Sequence, residues 1–304
     1  MKGKPYIALV LAMIFWSFSF VWFKIANRSY DPVAIVFIRL CLAIVFLSVF
    51  LWSTGRFTPV RRSDRKYFFL LALFEPFLYF LGESFGLTYV SSTVGSVIIS
   101  TIPVFAVIFA WIIYRERLKL INYIGVIVSF AGVLIFITSG TGSITMNPKG
   151  LALLFLAVVS ATGYNMVLHR LASDYDPITI VNIQNIIGAV LFLPLFLIFN
   201  LKKLLATGIV ADSFVSIVLL AVFASCGAFA LFAYAVRHLG ISRANIFTNL
   251  IPVFTAIFAF LIVGDRLTVR NGVGMVVVIA GLFLSQARKK KAAVSDVDFA
   301  GRSA

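Results

Sequence analysis

One stretch of this chain occurs twice. Ile102-Pro103-Val104-Phe105, followed by Ile108-Phe109-Ala110 and closed by Arg117-Leu118, Asn122, Gly125, Ala131 and Gly132, returns without a gap 149 residues later as Ile251-Pro252-Val253-Phe254, Ile257-Phe258-Ala259, Arg266-Leu267, Asn271, Gly274, Ala280 and Gly281. An ungapped match through two apolar segments and the basic hinge between them marks an internal duplication. A shorter signature opens each copy's second segment: Tyr30-Asp31-Pro32 with Ile35, Val36 and Ile38 recurs as Tyr175-Asp176-Pro177 with Ile180, Val181 and Ile183.

What is duplicated is apolar. With 62% hydrophobic and 12% charged residues over 304 positions, the chain has too little polar surface to coat a soluble globule. Ten segments are long and apolar enough for a membrane span: 5–24, 33–52, 67–87, 93–114, 120–138, 150–170, 178–199, 213–236, 243–263 and 271–287. The first follows Lys2 and Lys4 as a secretory signal would, but no small-x-small cleavage site follows it and the duplication includes it, so it counts as a span. The net charge of +15 sits in turns between spans, which argues for topology and against a nucleic-acid partner. Cys41 and Cys226 lie in apolar segments, and His169 and His238 are isolated, so neither a disulfide framework, a metal site nor a cofactor is expected.

With the N-terminus inside, 18 Lys and Arg fall on the inner side and 7 on the outer, placing both termini in the cytoplasm at the inner membrane. Each copy holds five spans, an odd number, so a second copy must enter the membrane from the opposite face. The expected fold is an all-α membrane protein of ten transmembrane helices in two inverted five-helix repeats, 1–140 and 147–287, with a disordered cytoplasmic tail at 288–304. Asp31-Pro32 and Asp176-Pro177 read as N-caps followed by a first-turn proline. Pro103 and Pro252 read as mid-span hinges. Gly125 with Gly132, and Gly274 with Gly281, make small-residue faces for packing within the fold or in a homodimer.

Trp16-Ser17-Phe18-Ser19-Phe20 with Lys24 ending the first span, and the Pro-Val-Phe helix running into Glu116-Arg117-Leu118 and a Gly125…Gly132 helix, resemble the EamA-like drug/metabolite transporter family. The resemblance covers the chain to about residue 287, with Asp265-Arg266-Leu267 in place of the second Glu-Arg-Leu. It implies a cytoplasmic-membrane transporter with a central cavity, usually an exporter of amino acids, related metabolites or drugs, and it raises a gating role for Lys24.

Ionisable residues inside a span mark function by default. Arg39, Glu75 and Glu83 are the three clear cases. Glu75, Tyr79 and Glu83 step by four and on a regular helix form a stripe about 12 Å long. Arg39 and Glu83 lie at similar depth below the outer surface and are expected to pair, leaving Glu75 deeper as the better candidate for coupling. The alternative is that Arg39, Lys24 and backbone groups satisfy both acids and merely fix helix positions. Ser92, Ser96 and Ser100, Tyr164 and Asn165, Asn182, Gln184 and Asn185, and Asn245 and Asn249 offer hydrogen bonds to a polar cargo or, equally, between helices. Trp16, Tyr79 and Tyr234 are candidate lining aromatics. A small-molecule carrier is the leading reading. A lipid-modifying membrane enzyme would want clustered His, Asp or Glu at one interface, and a receptor or scaffold would need neither intramembrane acids nor an inverted repeat.

Overall fold

The computed structural model describes residues 3–105, 120–137, 147–264 and 268–285, all helical or in short connections. Six helices are long and apolar enough to cross a membrane: α1 (Lys4–Ala26), α2 (Pro32–Thr54), α3 (Arg62–Tyr89), α6 (Pro148–Leu171), α7 (Pro177–Phe199) and α8 (Ala211–Leu239). Four shorter apolar helices are also described, α4 (Ser92–Phe105), α5 (Leu120–Ile135), α9 (Phe247–Ile262) and α10 (Val269–Leu284), together with two short connecting helices, Leu201–Thr207 and Ile241–Ile246. The tail at 288–304, Glu116-Arg117-Leu118 and Asp265-Arg266-Leu267 lie outside the described residues.

Local chemistry explains where the helices begin. Proline stands in the first turn of α1, α2, α6 and α7, where its missing N–H leaves nothing unsatisfied. Ser91, Asn147 and Asp176 cap α4, α6 and α7 through their side chains. Asp31 holds the same N-cap position for α2 but makes no cap bond; its carboxylate meets Lys203 instead. The outward faces stay apolar: Val45, Phe46, Val49, Phe50 and Trp52 on α2, and Ile186, Val190, Leu193 and Leu197 on α7, are exposed. Apolar faces of this extent suit lipid and would aggregate in water.

The helices pack in pairs that exchange when the halves are exchanged. α1 lies on α8 and α6 on α3; α1 lies on α9 and α6 on α4; α2 pairs with α7, α4 with α9 and α5 with α10. The Tyr-Asp-Pro repeats show how α2 and α7 are held. Tyr30 Oη donates to Gly208 O at 3.0 Å and accepts from Val210 N at 2.8 Å, while Asp31 binds Lys203 at 2.9 Å. Tyr175 Oη donates to Asp64 at 2.6 Å and accepts from Arg61 N at 3.2 Å, while Asp176 binds Arg56 at 2.7 Å. Each motif at the start of one helix thus clasps the segment that follows the other, so α2 and α7 run antiparallel.

α5 and α10 also run antiparallel, through the glycines that the sequence singles out. A Cβ at Gly132 would meet the Val278 backbone at 2.5 Å, and one at Gly281 would collide with the Ser129 backbone N. These small faces are therefore consumed inside the chain, which removes the basis for a homodimer through them.

The two prolines expected as mid-span hinges each follow an interruption of their helix. α4 is helical from Ser92 to Ile99, turns at Ser100–Thr101 and resumes at Ile102, so Pro103 occupies a first turn. Pro252 likewise stands in the first turn of Ile251–Ile262, after the 3-10 stretch Phe247–Leu250. The break precedes each proline, because a ring without an N–H fits best where no helical partner is available.

The third helix of each half is also interrupted. α3 widens into a π turn over Leu73–Leu78, with Glu75 extended at φ −148° and ψ 120°, and α8 does so over Leu220–Ala228. Pro76 cannot donate to the ladder, and Gly188 on α7 accommodates its ring, since a Cβ there would collide with it.

Candidate functional site: a charged cavity between the halves

The interrupted helices meet around one cavity. Its wall takes Trp16, Ser19 and Phe20 from α1, Arg39 from α2, and Glu75, Tyr79, Phe80 and Glu83 from α3. Ile99 and Ile102 from α4, Ala161, Tyr164 and Asn165 from α6, Phe229 and Phe232 from α8, and Thr248 and Ile251 from α9 complete it. Ile102 and Ile251 are copies of one another in the duplication, so equivalent positions of the two halves both line this space. The cavity volume is about 50 Å³. Small-molecule sites run to about 300–1,000 Å³, so the space as it stands is smaller than such a site.

Burial and bonding sort the charged groups. Arg39, Glu75 and Glu83 are all buried. Arg39 Nε donates to Ser225 Oγ at 2.9 Å, inside the π segment of α8, and its guanidinium lies 4.3 Å from the centre of the Phe80 ring. Tyr79 Oη donates to Glu83 at 2.7 Å. The expected Arg39–Glu83 ion pair is not formed: among the described residues the salt bridges are Arg56–Asp176, Arg61–Asp174 and Lys203–Asp31. Equal depth on two helices does not set the direction of the side chains, and the π segment of α8 offers Arg39 a nearer acceptor. Glu75 makes no hydrogen bond or ion pair with the described residues, and it lines the cavity. The regular stripe of Glu75, Tyr79 and Glu83 fails as geometry, because the helix breaks at Glu75, yet all three reach the same space.

The other expectations divide. Trp16, Arg39, Glu75, Tyr79, Glu83, Tyr164 and Asn165 line the cavity. Ser96 and Ser100 do not; their hydroxyls return to Thr93 O and Val97 O in their own helix. Asn182 bonds Ser48 on α2, and Tyr234 packs on His238, with ring centroids 4.3 Å apart. Asn185, Asn245 and Asn249 are buried and lie outside its wall. Lys24 sits half-buried in the last turn of α1, away from the wall. Sequence reading missed Ser225, Phe229 and Phe232. The position of Ser225 in the π segment of α8, as Glu75 sits in that of α3, is the signal that points to it.

The EamA-like transporter family profile matches twice, over residues 3–138 and 148–286. The chain belongs to the EamA-like transporter family. It is a multi-pass membrane protein with two copies of the family's domain. It is 28% identical over 281 residues to an uncharacterized transporter of Archaeoglobus fulgidus, spanning 92% of this chain and 98% of that one. It is 26% identical over 303 residues to the uncharacterized transporter YcxC of Bacillus subtilis, spanning 95% of each chain. A solved crystal structure superposes with a TM-score of 0.69 at 13% identity over 93% of this chain and 96% of that one, a likeness of fold.

Proposed function

We propose that this family member is a secondary transporter of small metabolites, most consistent with an exporter of amino acids, related metabolites or drugs, working by alternating access. In this reading ten transmembrane helices form two inverted five-helix repeats, 1–140 and 147–287, and residues 288–304 form a cytoplasmic tail. Both termini face the cytoplasm at the inner membrane, as the distribution of Lys and Arg supports. The small faces, the prolines and the amides outside the wall then serve packing, and the wall residues of the cavity, Asn165 among them, contact cargo.

The observation that carries the reading is a single cavity, walled by both halves, that holds Arg39, Glu75 and Glu83 in the interior of an otherwise apolar bundle. Ionisable groups at that depth are expensive and are retained where a pathway needs them. The antiparallel pairing of α2 with α7 and of α5 with α10 supports inversion, and inversion supplies equivalent gates toward the two faces. Lys24, in the last turn of α1, is read as a gate residue in this scheme. The test is solute flux in vesicles reconstituted with the purified protein. Saturable flux that Glu75→Gln and Glu83→Gln each reduce at least tenfold supports the proposal, and flux equal to that of empty vesicles across a broad metabolite panel sinks it.

A further inference from the structure

The chemistry of the cavity wall specifies what the wall lacks. Four hydroxyls line the space, and each spends its hydrogen on the protein. Ser19 donates to Trp16 O at 2.6 Å, Tyr79 to Glu83 at 2.7 Å, Tyr164 to Gln184 at 3.3 Å and Thr248 to Asn245 O at 2.7 Å. A hydroxyl that has given its one hydrogen can only accept from a ligand. Beside these oxygens stand the carboxylate of Glu75, with no hydrogen-bond or ion-pair partner among the described residues, and that of Glu83, held through one oxygen by Tyr79. The wall's own donors are the Asn165 amide, the Trp16 indole N–H and an Arg39 guanidinium whose Nε is turned to Ser225 and whose plane is set against the Phe80 ring, and none of them donates to Glu75.

The unpartnered group agrees. Among the described residues Glu75 is the acid of this wall that no donor holds, in a space otherwise walled largely by rings and aliphatic groups. A buried carboxyl left without a partner is costly, and a charged donor from an incoming molecule is the strongest partner it can gain. The rings suit a cation as well. Trp16 packs at 5.2 Å from Phe229 and 5.1 Å from Phe232, a cluster whose faces attract positive charge.

We infer that the cavity takes a monocationic organic amine, its ammonium hydrogens received by Glu75 and the surrounding hydroxyl oxygens and its apolar body laid against Trp16, Phe229 and Phe232. This rests on the carrier reading and names the cargo class for the same site. A carboxylate cargo would bring another acceptor to a wall already rich in them, and a zwitterion would bring one along with its ammonium.

The experiment is thermal unfolding of the purified full-length protein with four probes of similar size: 2-phenylethylamine, benzyltrimethylammonium, 3-phenylpropanoate and phenylalanine. Phenylethylamine is expected to raise the unfolding temperature in a saturable way and to bind at least tenfold tighter than 3-phenylpropanoate or phenylalanine. Benzyltrimethylammonium, a cation without N–H groups, is expected to bind more weakly than the primary amine. Glu75→Gln is expected to weaken phenylethylamine at least tenfold, and Glu75→Asp, which keeps the charge, to weaken it less. The unliganded unfolding temperature of each variant shows that it is folded; if Glu75→Gln is not, the Asp variant and the probe ranking decide. Equal or tighter binding of 3-phenylpropanoate or phenylalanine, amine binding unchanged in Glu75→Gln, or no amine binding each overturns the assignment. None of these touches the carrier reading, which flux of other solutes and two-sided labelling of the cavity test separately.

Discussion

Replacing Arg39 with glutamine isolates the role of its charge. The side chain is 3% exposed, donates to Ser225 at 2.9 Å and lies 4.3 Å from the Phe80 ring centre. Glutamine can still donate to Ser225, so the hydrogen bond is largely conserved. What disappears is the one positive charge facing Glu75 and Glu83. Removing one member of a buried charged set destabilises by about 3–5 kcal/mol, because the remaining charges lose compensation. The lost cation–π contact adds about 2 kcal/mol at a desolvated site, so charge imbalance is the larger effect. The imbalance is also repairable. Arg39→Gln combined with Glu83→Gln, which also neutralises one of the two acids in the same wall, is therefore expected to recover more than half of the loss. The assay is thermal unfolding of purified protein, the order of midpoints being wild type, then the Glu83 double variant, then the single variant. A single variant as stable as wild type, or a double variant less stable than the single, would refute the reasoning.

Further outcomes follow from the packing. Tyr30→Phe removes a hydroxyl that both donates and accepts, at Gly208 and Val210, and is expected to cost about 1–3 kcal/mol; Tyr175→Phe should cost a similar amount through Asp64 and Arg61. Denaturation of each variant checks this, and the exposed Lys203–Asp31 bridge should matter less, at about 0–1 kcal/mol for Asp31→Asn. Gly281→Val should destabilise by about 1–3 kcal/mol or more, since the backbone of Ser129 blocks the new side chain. Gly272→Ala, on the same helix with open space around it, should be neutral or stabilise by up to about 1 kcal/mol, and their unfolding midpoints compared under one condition check the contrast.

Much of this architecture is written in the chain. The duplicated Tyr-Asp-Pro is legible, and its function in each half is the same clasp, yet its partners follow the opposite helix and share no sequence signature with it. Arg39, Glu75 and Glu83 announce themselves by being ionisable within apolar runs. Their mutual geometry does not, because an assumed regular helix puts Glu75 on a stripe that the break at Glu75-Pro76 interrupts. Pro76 is visible in the sequence, but whether a proline kinks, breaks or merely starts a helix depends on what packs beside it, here Gly188. The serines mislead for another reason. A hydroxyl on a helix can satisfy itself on the preceding turn, as Ser96 and Ser100 do, so polar spacing alone does not identify a binding face. Phe229 and Phe232 are lost among 32 phenylalanines until the fold turns them toward Trp16.

The central claim is that one cavity opens in turn to both sides of the membrane, and a thiol placed in its wall tests it. With Cys41 and Cys226 replaced by alanine, Ser19→Cys provides the only thiol, on a residue that lines the cavity. In sealed vesicles of known orientation, a membrane-impermeant thiol reagent should label that cysteine when added from either side, and a bound cargo should slow both reactions. Labelling from one side alone, at every cargo concentration and after prolonged exposure, would contradict the account.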